Sequence, residues 1–129
     1  MIEPEWLEEE TVLAAHHLQI ATFGGSPGIR DIGLLRSAMA RPRNLLAYGE
    51  PRLTDLAAAY AFGIVRNHPF IDGNKRVALV AIVSFLDING QQFIGDEPSA
   101  KLNIERLAAS EIDEAAVADW IAANVAPVK

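Results

Sequence analysis

LTDLAAAYAFGIVRNHPFIDGNKRVALVAIVSFLDING, residues 53–90, sets two apolar runs on either side of a short polar loop. Leu53 to Asn67 is apolar on nearly every face: Leu56, Tyr60, Phe62, Ile64 and Val65 stand among four alanines. A helix without a polar face belongs in the middle of a bundle. Gly73 to Asn89 has the same character and is closed by Asn89-Gly90, a C-terminal cap in which glycine takes the left-handed conformation at little cost. Two such helices joined by a short loop pack antiparallel. The stretch therefore predicts an all-α domain whose two central helices are joined by HPFIDGNKR, residues 68–76.

The chemistry of the chain is concentrated in that loop. His68 precedes a proline, which disfavours helical geometry, so it should stand outside the helix. Imidazole titrates close to neutrality, and its neutral form accepts a proton from a hydroxyl. Asp72 has two readings: an N-cap for the helix that follows, or a ligand for Mg2+, which is commonly held by one or two carboxylates together with phosphate oxygens. Gly73 lets a backbone approach an anion closely, and Asn74 can cap or offer an N–H. Lys75 and Arg76 fall in the first turn of a helix, where the dipole opposes positive charge. Two cations there are locally unfavourable unless an anion sits between them, and the unpartnered first-turn N–H groups favour that same anion. The plain alternative is a loop histidine, a cap and a solvated basic pair. Taken together, the residue types read as a Mg-phosphate site with a general base beside it. Phe70 and Ile71 read as apolar anchors that pin the loop.

Outward from this centre, residues 5–22 read as a first helix, acidic at its N-terminal end as the dipole prefers. Gly24-Gly25-Ser26-Pro27-Gly28 is a turn. Asp31 can cap a short helix over Ile32–Ala40 that Pro42 stops. Residues 41–52, with three arginines, two prolines and Tyr48, read as an irregular loop or a short β-hairpin. Gln91–Pro98 reads as a loop, and two peripheral helices follow over 99–109 and 113–124, started by Ser99 and Asp113. The expected architecture is a bundle of about six helices. Trp6 and Trp120 are packing residues near its ends. His16 and His17 are neighbours facing different ways, with no second ligand at helical spacing, which argues against metal.

With 129 residues, half of them hydrophobic, the chain is one domain spanning 1–129 with enough apolar surface for a core. It has no cysteine, hence no disulfide and no thiolate metal site. MIEPEWLEEE lacks the basic-then-apolar order of a signal peptide, and no apolar stretch is long enough to span a bilayer. A cytoplasmic location without membrane partners is expected. A net charge of −6 argues against direct nucleic-acid binding.

HPFIDGNKR resembles the motif of the Fic/Doc superfamily, and its Lys-Arg ending resembles the Doc, or death-on-curing, branch. GGSPGIRDIGLLRSAMARP at 24–42 and FLDINGQQF at 85–93 are similar to that branch's upstream and downstream segments. The resemblance implies that His68 is the base for a target hydroxyl. It implies that Asp72 holds Mg2+ with the phosphates of ATP, and that Gly73, Asn74, Lys75 and Arg76 form an anion nest. It makes 41–52, with Arg41, Arg43 and Tyr48, a flap facing target or antitoxin. It further implies a toxin that phosphorylates a threonine of elongation factor Tu, stops translation, and is neutralised by the C-terminal segment of an antitoxin.

Members that transfer AMP resemble HPFxDGNGRxxR. Here Lys75 replaces the second loop glycine and Leu79 the final arginine, which disfavours a diphosphate laid along the nest. AMP transfer to a protein hydroxyl and a catalytically idle antitoxin-binding module are the alternatives to the kinase. TVLAAH at 11–16 has no glutamate of the S/T-xxx-E-G/N inhibitory helix, so restraint is expected in trans, from an acidic-apolar peptide on an Arg36, Arg41 and Arg43 patch.

Overall fold

The two apolar runs are helices and form the centre of the molecule. The computed structural model describes residues 3–128. In chain order these comprise α1 (Glu9–Phe23), α2 (Ile32–Tyr48), α3 (Leu53–Asn67), α4 (Asn74–Ile88), β1 (Gln91–Phe93), α5 (Glu97–Ala108), α6 (Glu114–Ala122) and β2 (Val125–Pro127). The all-α class, the six-helix bundle and the loop joining two central helices are as expected.

The core follows from the lack of a polar face on α3, which is packed by α2, α4, α5 and α6. Leu56, Tyr60, Ile64, Ile82, Phe85 and Leu86 are fully buried along the α3–α4 seam. The Tyr60 ring packs on Phe85 at 5.1 Å, and its buried hydroxyl accepts from Leu7 N–H at 3.1 Å. Gly63 allows α2 to approach closely: a Cβ there would lie 2.9 Å from Ala38 Cα. Trp6 stacks on Phe85 and Trp120 meets the edge of Phe93, so both tryptophans are packing residues.

Residues 41–52 differ from expectation. Asp31 caps α2 through Leu34 N–H at 3.1 Å, but the helix does not stop at Pro42; it continues to Tyr48. Proline inside a helix removes one hydrogen bond and crowds the preceding turn. Here Leu35, Ala38 and Pro42 form one buried face against the bundle, and that burial outweighs the local penalty. Only residues 49–52 of the segment are loop, and no part of it is a hairpin. The extended structure lies elsewhere: β1, inside the stretch read as a loop, pairs antiparallel with β2 beyond the last helix, Gln91 opposite Pro127. Smaller shifts occur at helix starts. α1 begins at Glu9 rather than residue 5, and α5 is capped by Asp96, not Ser99, whose N–H is the donor at 2.7 Å. Asp113 caps α6 as read. No helix among the described residues is long and apolar enough to cross a membrane.

Candidate active site

α3 ends at Asn67, and His68 is its C-terminal cap, in the left-handed region at φ 52° and ψ 55° with its N–H donating to Ile64 O at 3.0 Å. That conformation costs a non-glycine residue about 1 kcal/mol or more, so the surroundings must hold it. Arg30 does so. Its Nε–H donates to His68 O at 2.6 Å and its Nη2 to Asn67 O at 2.7 Å, placing a cation on the carbonyl end of α3. The backbone of the 24–31 segment lies along the loop as a strap. Arg30 and Asp31 N–H both donate to Pro69 O, and Ile71 N–H donates to Gly28 O. The His68 side chain is left exposed.

Asp72 is fixed from three sides. Ser26 N–H donates to Oδ2 at 3.2 Å and Gly73 N–H to Oδ1 at 2.8 Å. These two amides, then the more distant charges of Arg76 and His16, hold its carboxyl below the usual carboxylate range. Its backbone carbonyl accepts from His16 Nε2 at 2.8 Å. Gly25 is obligatory beside it: a Cβ would stand 2.6 Å from Oδ2, and its φ of +113° suits only glycine. Asp72 does not cap α4; Gly73 occupies that position with a left-handed φ of 80°.

Asn74 is buried, and its side chain closes the loop on itself. Oδ1 accepts from Phe70 N–H at 3.0 Å and Nδ2 donates to Phe70 O at 2.9 Å. Its amide side chain is thus occupied, and what it offers an anion is its backbone. The first α4 hydrogen bond runs from Val77 N–H to Gly73 O. The N–H groups of Asn74, Lys75 and Arg76 precede that bond and have no intrahelical acceptor.

His68, Asp72, Gly73, Asn74, Lys75 and Arg76 line one open cleft of about 320 Å³, with Val65 and Ala108 as its apolar wall. The six loop residues read as a site are brought together there; of the two read as anchors, Phe70 is buried and Ile71 is exposed. Lys75 and Arg76 also border a second groove of about 540 Å³ between α1, α4 and α5, lined by Phe23, Leu79, Val80, Ile104, Lys101, Glu97 and Glu105. Leu79 is half-buried against the core at that border.

The flap residues are distributed differently. Arg41 pairs with Glu114 on α6 and lies over the Phe62 ring at 4.4 Å, whereas Arg43 lies over Trp6 and Arg36 pairs with Glu9. The three arginines therefore do not form a common patch. Tyr48 is 91% exposed and, with Arg41, Asn44 and Asn67, edges a third hollow of about 640 Å³ between α2 and α3. Arg43 does not line it.

Sequence reasoning missed Arg30, Ser26, Gly25 and His16 as parts of the site. Gly25, Ser26 and Arg30 fall in the 24–42 segment, whose glycine-rich turn and family resemblance were the available signals; His16 had none.

An exposed imidazole, an exposed carboxylate and the open N-terminus of α4 thus share one cleft of a helical bundle. Residues 6–86 match the Fic/DOC family, and the chain belongs to that family, in its Doc branch. It is 46% identical over 95 residues to Toxin Doc of Mycolicibacterium smegmatis, covering 71% of this chain and 70% of that protein. It is 35% identical over 118 residues to the Protein kinase doc of Escherichia phage P1, covering 89% and 91%.

Proposed function

We propose that the protein is the toxin of a toxin–antitoxin pair and acts as a protein kinase, moving the γ-phosphoryl group of ATP to a threonine of elongation factor Tu. The names of the two relatives support the toxin and kinase parts of this reading. The observation that carries it is the cleft, where His68, Asp72 and the unpartnered first turn of α4 meet.

The donor set fits Mg2+ bound jointly with phosphate. Asp72 is exposed and ionised, and its oxygens already accept from Ser26 and Gly73. Among the described residues no group of three or more His, Cys, Asp or Glu could hold a metal without help, so phosphate oxygens would supply the remaining ligands. Bound there, Mg2+ would offset charge on the transferring phosphate. His68 accepts the proton of the threonine hydroxyl. Its oxygen bonds to the γ-phosphorus while the bond from that phosphorus to the β–γ bridging oxygen breaks, and ADP leaves with the electron pair. The N–H groups of Asn74, Lys75 and Arg76, with the two side-chain cations, hold the phosphate charge. Lys75 occupies the place where a glycine would admit a diphosphate along the nest.

Restraint comes from an antitoxin segment in the α1–α4–α5 groove. Its apolar lining suits the apolar face of an acidic-apolar peptide, and its three cations, Lys75, Arg76 and Lys101, outnumber the carboxylates of Glu97 and Glu105, whereas the arginines of α2 are dispersed. A target that works in translation requires a cytoplasmic location. The test uses purified protein, elongation factor Tu, and ATP labelled separately at the α and γ positions. Label on the target from the γ position alone is expected. Label from the α position overturns the kinase reading in favour of AMP transfer, and no label from either leaves the idle binding module.

A further inference from the structure

His16 is a buried polar side chain that the proposed chemistry does not use. It lies on α1, 56 residues from the loop it touches. Its ring stacks flat on Phe70, centroids 3.9 Å apart and planes 8° from parallel. Its Nε2 is 2.8 Å from Asp72 O, and since a carbonyl only accepts, Nε2 carries the proton. The two contacts fall either side of Ile71, so one imidazole grips the loop at both of its inner corners. Asn74 holds Phe70 as well, through both of its backbone groups. The Asp72 carboxylate, and the Gly73 peptide that leads into the first turn of α4, both adjoin the carbonyl that His16 holds.

We infer that His16 is a positioning residue: its hydrogen bond to the Asp72 carbonyl sets the aim of the Asp72 carboxylate and of the α4 first-turn N–H groups, and so sets the affinity for Mg-ATP. His68 is held separately, by Arg30 and the end of α3. The effect therefore falls on nucleotide binding and not on proton transfer. The activity part of the inference rests on the kinase reading; the structural part does not.

Two substitutions separate the two contacts. His16→Phe keeps a flat ring against Phe70 and removes the donor. His16→Gln keeps a donor at about the reach of Nε2 and removes the ring. Amide hydrogen exchange at Phe70, Ile71 and Gly73 reports the loop, and exchange in the middle of α3 and α4 reports the fold. In His16→Phe the loop amides should exchange about tenfold faster, the worth of one buried hydrogen bond, while α3 and α4 stay as slow as before. His16→Gln should keep the loop rate of the unmodified protein. With Mg-ATP as probe, KM should rise about tenfold in His16→Phe with kcat little changed, and His16→Gln should restore it. Unchanged loop exchange in His16→Phe overturns the inference. Equal loss in both variants overturns it too, since the ring alone would then be holding the loop. A protein that binds no Mg-ATP at all sinks the kinase reading, and the exchange comparison still decides the role of His16.

Discussion

His68 and Asp72 are exposed loop residues whose side chains make no contribution to the core, while the backbone around them is tied down at almost every peptide. Function and stability should therefore separate on substitution. His68→Ala should lower phosphorylation by on the order of 100-fold or more, the usual loss for a positioned base, with an unchanged melting temperature. Growth arrest by that variant at matched expression would refute the assigned base. Asn74 should behave in the opposite way. Replacing it by alanine strands the buried N–H and carbonyl of Phe70, at a cost of about 1–3 kcal/mol each, so Asn74→Ala should lose thermal stability together with activity. If its melt matches that of the unmodified protein while activity falls, Asn74 acts on phosphate through its side chain and the clamp is incidental.

At the scale of elements, α3 must be anchored at both ends for the loop after it to be placed. Its C-terminal end is held by Arg30. At its N-terminal end Arg52 N–H donates to Asp55 Oδ2 at 2.7 Å, and the Arg52 guanidinium bridges Asp55 to Asp119 on α6. The side-chain bond from Arg52 holds the Asp55 carboxyl below its usual range. A lowered carboxyl binds protons less readily folded than unfolded, so its stabilisation is complete above the unfolded carboxylate range and is lost as pH falls through the folded value. Asp55→Asn should thus melt below the unmodified protein near neutral pH, by a capping-sized amount of about 1 kcal/mol, and the gap should close in acid. A gap that is constant with pH would show that ionisation of Asp55 contributes nothing. These elements also show what a sequence discloses. The central helices were legible because burial on all faces leaves an apolar run that no local signal contradicts. The end of α2 was not, because Pro42 and the arginines around it are strong local cues, and the packing of Leu35, Ala38 and Pro42 that overrides them is tertiary. The β1–β2 pair joins three-residue strands from distant parts of the chain, too short for a period-two pattern. Within the site, HPFIDGNKR was legible because its chemistry is contiguous. Arg30 and His16 were not, because each acts on backbone carbonyls 38 and 56 residues away, and a carbonyl carries no residue signature.

For the whole molecule, two hollows meet at Lys75 and Arg76, so the cleft proposed for phosphate transfer and the groove proposed for the antitoxin share a border. Expression of the chain alone, in a host without a related antitoxin, should arrest growth, and robust growth would count heavily against a toxin. On the proposed reading, Lys75 decides which reaction the cleft performs. It is exposed in the first turn of α4 and borders both hollows. A side chain there obstructs a diphosphate laid along the nest and offers its charge to a single phosphate near His68. Lys75→Gly should therefore lower γ-label transfer and open weak α-label transfer. Leu79→Arg, one turn further on at the border of the second groove, should strengthen the switch by adding a charge for the distal phosphates. The two substitutions should be non-additive, since both act on one phosphate chain. Leu79 is only half-buried, with a groove of about 540 Å³ beside it, so an arginine has room to direct its charge outward while its stem stays on the core. A thermal melt run alongside separates loss of fold from change of reaction. Additive effects, or a Lys75→Gly protein that transfers γ-label as well as before, would remove Lys75 from the phosphate path and leave the kinase reading without its selectivity element.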